Sequence, residues 1–90
     1  MSTENVDNIS ADQCRGARAL LDMTQPELAS ASGLGLSTVV DFERSRRTVS
    51  ADAIQEIRKA LERAGVEFID ENGGGLGVRL ANRQRAKQRK

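Results

Sequence analysis

Two helix boundary signals lie close together in this chain, and they constrain its fold more than any other feature. Thr24-Gln25-Pro26-Glu27 opens a helix. A threonine at the N-cap and a glutamate three residues on can each satisfy an orphaned N–H group of the first turn. Pro26 falls in that turn, where a missing N–H costs little. The helix is expected to stop at Gly33, since glycine supplies the left-handed backbone of a sharp exit. A further helix is expected from about Leu36 to Arg44, with Val39 and Phe42 as its buried pair. Only Gly33-Leu34-Gly35 joins the two. So short a connector cannot lay them side by side as a long hairpin. It forces a steep crossing and leaves the second helix protruding.

The remaining segments build around this pair. The helix before it is expected to run from Ala11 to Asp22, with Cys14, Ala17 and Leu21, joined by Leu20, on one apolar face. After it, Ser50 is a natural cap, and Asp52 in the first turn suits the helix dipole. Ile54, Ile57 and Leu61, flanked by Ala60 and Ala64, form the stripe of a fourth helix that Gly65 ends. The period then changes. Val66-Glu67-Phe68-Ile69 and the alternating Leu76, Val78 and Leu80 flank a turn rich in acidic residues and glycine, which predicts a β-hairpin. The fold expected is mainly α, a compact four-helix domain with a C-terminal β-hairpin. Residues 1–10 form a flexible lead, 11–65 the helical domain, 66–81 the hairpin and 82–90 a disordered basic tail.

Composition limits the chemistry. At 90 residues the chain is one domain. Domains of this size bury roughly 60–65% of their unfolded surface, so association with a second copy is a natural source of further burial. Phe42 and Phe68 are the only aromatics, so the core must be aliphatic. There is no histidine, and Cys14 is the only cysteine. The commonest general base and metal ligand are therefore missing, and Cys14 is expected to be a small buried hydrophobe. Gly73-Gly74-Gly75 lacks the Gly-Lys-Ser/Thr ending of a phosphate loop and opens no helix, so it is a turn. Asp70 and Glu71 are solvated acids of that turn. No nucleophile–base pair, metal cluster or cofactor loop is present, so neither an enzyme nor a cofactor is expected. No apolar run approaches a membrane span, and the expected compartment is the cytoplasm. The formal charge of +1 hides an asymmetry. Residues 1–78 carry 8 basic and 13 acidic side chains, whereas residues 79–90 carry 6 basic and none acidic. Arg44, Arg46 and Arg47 form a second basic spot, just after the protruding helix.

The run Met23-Thr24-Gln25-Pro26-Glu27-Leu28-Ala29, then Gly33-Leu34, Ser37-Thr38-Val39, Phe42-Glu43-Arg44 and Arg46-Arg47 resembles the helix-turn-helix domain of the Cro and lambdoid repressor (XRE) family. The likeness spans residues 13–65. The stretch from Ala64 to Ile69 and the following Glu71-Asn72-Gly73-Gly74-Gly75-x-Gly77-Val78-Arg79-Leu80 is similar to the C-terminal part of many small bacterial regulators.

The resemblance implies a lambda-repressor-like fold, double-stranded DNA as partner and a homodimer on a palindromic operator, acting as repressor or activator. It implies a phosphate contact for Gln25, at a helix end whose N–H groups favour an anion. It implies a recognition helix beginning at Gly35, with Leu36, Ser37, Thr38, Val40 and Asp41 toward DNA. Ser37 can hydrogen-bond several bases, Leu36 and Val40 can meet thymine methyls, and Asp41 can accept from a cytosine amino group. Arg44, Arg46 and Arg47 are placed for phosphates. It also implies an ion pair between Arg18 and Glu43. The chain departs from the family in two respects. The recognition helix lacks the usual Gln, Asn and Arg readers, and the hairpin stands where a fifth helix is common. Val66, Phe68, Ile69, Val78 and Leu80 of that hairpin are the expected dimer contact. The alternative is a protein-interaction module of the same fold, an antitoxin or anti-activator, with DNA binding secondary.

Overall fold

The computed structural model describes residues 8–46, 48–70 and 73–81. Helices α1 (Ala11–Leu21), α2 (Gln25–Ser32), α3 (Leu36–Glu43) and α4 (Ala51–Ala64) are followed by strands β1 (Val66–Ile69) and β2 (Gly77–Leu80). The fold is mainly α, with four helices and one hairpin, as the sequence predicts. The expected lead (1–7), Arg47, Glu71, Asn72 and the basic tail (82–90) lie outside the described residues.

Local capping explains where the helices begin. Thr24 accepts from the Glu27 N–H at 3.2 Å, and the Glu27 carboxylate accepts from the Thr24 N–H at 2.8 Å. Gly33 closes α2 with φ of 78°, a left-handed conformation that a Cβ would strain. Ser10 and Gln13 form a second capping box on α1. Ile9, just before that cap, is buried in the core, so residues 9 and 10 belong to the domain rather than to a loose lead. α1 stops at Leu21, and Asp22 takes the left-handed cap position.

The core is aliphatic. Leu28, Val39, Ile57, Leu61, Cys14 and Ala17 are sealed from solvent; among the described residues Gln13, Ser32 and Glu43 are the buried polar ones, and Glu43 is the most deeply buried of them. Leu20 is a correction. It is 40% exposed, while Leu21 packs against the core. The inward face of α1 runs through Gln13, Cys14, Ala17 and Leu21, and Leu20 falls off its edge.

The hairpin is antiparallel, with Val66 opposite Leu80, Glu67 opposite Arg79, Phe68 opposite Val78 and Ile69 opposite Gly77. Val66, Phe68, Val78 and Leu80 therefore share the inward face. Val66 and Phe68 are only 2% and 8% exposed, and their side chains are absorbed by the core of their own chain. Two features of α1 seat the hairpin. The Gln13 amide donates to the Gly77 carbonyl at 2.9 Å. Gly16 lets β2 approach closely, since a Cβ there would lie 3.3 Å from Val78 Cγ1. On the other side Arg58 of α4 stacks over the Phe68 ring at 5.5 Å.

Candidate nucleic-acid interface

α3 owes its position to one buried carboxylate. Val39 and Glu43, one helical turn apart, are its buried residues. Phe42, expected to be buried, is only half-buried against the core. Glu43 is 1% exposed yet fully satisfied. Arg18 of α1 grips it with two bonds, Nε to Oε2 and Nη2 to Oε1, both 2.7 Å. The Cys14 thiol donates to Oε2 at 3.0 Å, and the Gln25 amide donates to Oε1 at 3.0 Å. Arg18 also donates to the Met23 carbonyl at 3.0 Å, at the entry to α2. One carboxylate thus ties α1, α2 and α3 together. Burial alone pushes the Glu43 carboxyl up. The hydrogen bonds from Arg18, Cys14 and Gln25, with the Arg18 charge, outweigh that and hold it below the usual carboxylate range. Burial first, then the bond to Glu43, pushes the Cys14 thiol well above its ordinary value, so it stays protonated.

With Val39 and Glu43 turned inward, helical geometry turns Ser37, Asp41 and Arg44 outward, flanked by Thr38 and Val40. Leu36 is 45% exposed at the start of the helix. Ser37 and Arg44 are exposed, whereas Thr38, Val40 and Asp41 are half-buried. Gly35 is the N-cap of α3 and supplies no side-chain hydrogen bond to its first turn. A Cβ on Gly35 would meet nothing within 4 Å, so the approach to this end is open. Beyond the helix Arg44 and Arg46 are exposed, and the Arg46 N–H bonds the Asp41 carbonyl at 3.0 Å. Gly35, Leu36 and Ser37 are thus exposed at the start of α3, and Arg44 and Arg46 are exposed just beyond its end.

At the start of α2 the anion-binding capacity is narrower than sequence alone suggests. Thr24 uses the Glu27 N–H, Pro26 has none, and the cap leaves the Gln25 N–H as the first-turn donor it does not use. The Gln25 side chain is itself held by Glu43. A shallow depression beside it is lined by Arg15, Arg18, Thr24 and Gln25. Arg15 is a residue that sequence reasoning misses. It is half-exposed and pairs with Asp12, and it also donates to the Glu43 main-chain carbonyl. Its position three residues before Arg18, on the same helix, is the signal that could have found it.

Among the described residues no group of three or more His, Cys, Asp or Glu is placed to hold a metal ion, and no helix is long and apolar enough to cross a membrane. Comparison with known protein families matches residues 15–68 to a family described as helix-turn-helix. No curated protein matches the chain.

Proposed function

The chain belongs to the Cro/C1-type helix-turn-helix (XRE) family of DNA-binding regulators, and we propose that it is a dimeric transcriptional repressor or activator of a palindromic operator. The observation that supports this best is the outward side of α3. A helix held by a buried carboxylate presents exposed Leu36 and Ser37 at its start, half-buried Thr38, Val40 and Asp41 along it, and exposed Arg44 and Arg46 just beyond its end. That shape and charge suit a major groove, with Arg44, Arg46 and Arg47 on phosphates and Gln25 on a further phosphate through its main-chain N–H. Arg15 lies on the same side as Gln25 and joins it. Gly35, Leu36, Ser37, Thr38, Val40 and Asp41 face the bases. Dimerisation through the hairpin spaces two α3 helices about one DNA turn apart. Such a regulator works where the genome is, which we take to be the cytoplasm, and it needs neither cofactor nor catalysis.

Selection of bound duplexes from a random pool tests the reading directly. An enriched inverted repeat is the expected result, and no enrichment over input would count against sequence-specific binding. Arg44→Ala and Arg46→Ala should each weaken binding on all sequences alike. Each should also flatten the logarithmic salt dependence by about 0.9 for every phosphate that is no longer neutralised. Titrations at several salt concentrations that leave both affinity and slope unchanged would remove these arginines from the interface. Ser37→Ala and Asp41→Ala should instead change which sequences are selected, since removing a base contact costs about 1–3 kcal/mol at the affected position. If both variants enrich the wild-type site with unchanged preferences, a different face of α3 meets DNA.

A further inference from the structure

α3 ends in a turn that favours glycine and holds a serine. The Arg46 N–H bonds the Asp41 carbonyl at 3.0 Å, and the Ser45 N–H bonds the Phe42 carbonyl at 3.2 Å. This pair of bonds wraps the chain around the helix end and puts Ser45 in the left-handed region, with φ of 56°. The other positive-φ residues among those described are Gly33, Gly65, Gly73, Gly75 and Asp22. Glycine has no Cβ to clash there, and a short Asp or Asn side chain is the usual exception. Ser45 is neither. Backbone strain of this kind is concentrated where the side chain is put to use. The surroundings say what that use is. Ser45 is exposed between Arg44 and Arg46, which are exposed as well. A helix C-terminus ordinarily repels an anion, because its last four carbonyls are bare. Here each of them is taken. Val40 accepts from the Arg44 N–H, Asp41 from Arg46, Phe42 from Ser45, and Glu43 from the Arg15 guanidinium. An anion can therefore approach Ser45 under the field of two cations without facing uncovered oxygens.

We propose that the Ser45 hydroxyl donates a hydrogen bond to a DNA phosphate oxygen, and that the protein gives up stability in this turn for that contact. This rests on the DNA-binding reading above and adds a residue which that reading does not include. Glycine would close the turn with less strain but offers no side-chain donor. The contact differs in kind from those of the neighbouring arginines. A neutral hydroxyl neutralises no phosphate, so it displaces no counterion, and a backbone contact reads no base. Stability and affinity are therefore set against each other at this one position.

Three variants of the full chain, each titrated at several salt concentrations on a duplex recovered from the random pool and on a scrambled duplex, test the contact. Ser45→Gly should move stability and affinity in opposite directions. Its melting temperature should rise by about 2–6 °C as the strain is relieved. Its affinity should fall about tenfold on both duplexes, the loss expected for a hydrogen bond to a charged group. Ser45→Ala keeps the Cβ and removes the hydroxyl, so it should lose the same affinity without becoming more stable. Ser45→Asn tolerates the left-handed backbone and carries an N–H donor, so it should restore most of the lost affinity. In all three the salt slope should match the wild type, whereas loss of Arg44 or Arg46 flattens it. Ser45→Gly or Ser45→Ala binding as tightly as the wild type overturns the contact. So does weakened binding with a flattened slope, since the turn would then have displaced the arginines. Ser45→Gly no more stable than the wild type overturns the exchange of stability for affinity. A wild-type chain that enriches nothing and binds no duplex overturns the DNA-binding reading and the contact with it. A wild type that binds DNA beside indifferent Ser45 variants overturns the contact alone.

Discussion

Arg18→Ala should be the most destabilising single change near α3, by about 3–5 kcal/mol, because it leaves a buried carboxylate without its cation. Glu43 is 1% exposed and cannot turn to water without moving α3. Cys14 and Gln25 would remain as donors, but both are neutral. Against a total stability of roughly 5–15 kcal/mol for a domain, the loss would unfold an appreciable fraction of the molecules on moderate warming. Arg18→Lys should recover only part of it, since an ammonium cannot reproduce the two-pronged grip on Oε1 and Oε2.

The same pair predicts how stability changes with pH. In the wild type the folded Glu43 carboxyl is held below its unfolded value. Its stabilising contribution is therefore complete above the ordinary carboxylate range and is lost as pH falls through the depressed folded value. In Arg18→Ala burial dominates and raises the folded value, so protonation favours the native state. The difference in melting temperature between the two proteins should be largest near neutrality and should narrow on acidification through the carboxylate range. A gap independent of pH would mean that Arg18 acts through packing rather than charge. Because Glu43 also holds Gln25 and seats α3, DNA affinity should fall in Arg18→Ala even at temperatures where it remains folded.

The elements legible in the sequence are those whose signals are local. Thr24 to Glu27, Gly33 and Ser50 mark helix ends through bonds that span three or four residues, and each lies where the sequence predicts it. The Ser10–Gln13 box has the same form, but the low apolar content of the residues before it hides it. Leu20 and Leu21 show the limit of periodicity. Both fit a loose apolar stripe, and only Leu21 packs against the core. Gln13 cannot be singled out as an anchor from sequence. Its partners are main-chain carbonyls of Ile69 and Gly77, which no residue identity advertises. Glu43 reads as a surface acid on a short helix. Its burial depends on Arg18, twenty-five positions away, and only the family resemblance points to that pairing. The outward ridge of α3 follows from its inward residues, so the candidate site is legible once Val39 is placed. The half-burial of Asp41 and the consumption of first-turn donors at α2 are not.

Phe68→Ala should cost about 3–5 kcal/mol, the range for removing a buried aromatic ring. The ring is 8% exposed and belongs to the same cluster as Ile57 and Leu61 of α4 and Cys14 and Ala17 of α1. Its loss opens a cavity between the hairpin and both helices and leaves Arg58 without its stacking partner. A two-stranded hairpin has little stability of its own, so the inner face of this one holds it in place as much as it covers the helices. Truncation after Gly65 should therefore do more than separate subunits. It removes Val66 and Phe68 together, exposes sealed residues of α1 and α4, and leaves Gln13 without its two carbonyl partners. The expected product has a shallow, poorly cooperative thermal transition, not that of an intact monomeric domain. Equilibrium unfolding monitored by far-ultraviolet circular dichroism separates the cases. If Phe68→Ala and the truncated chain unfold cooperatively within about 1 kcal/mol of the wild-type subunit, the hairpin is an appendage and not part of the core.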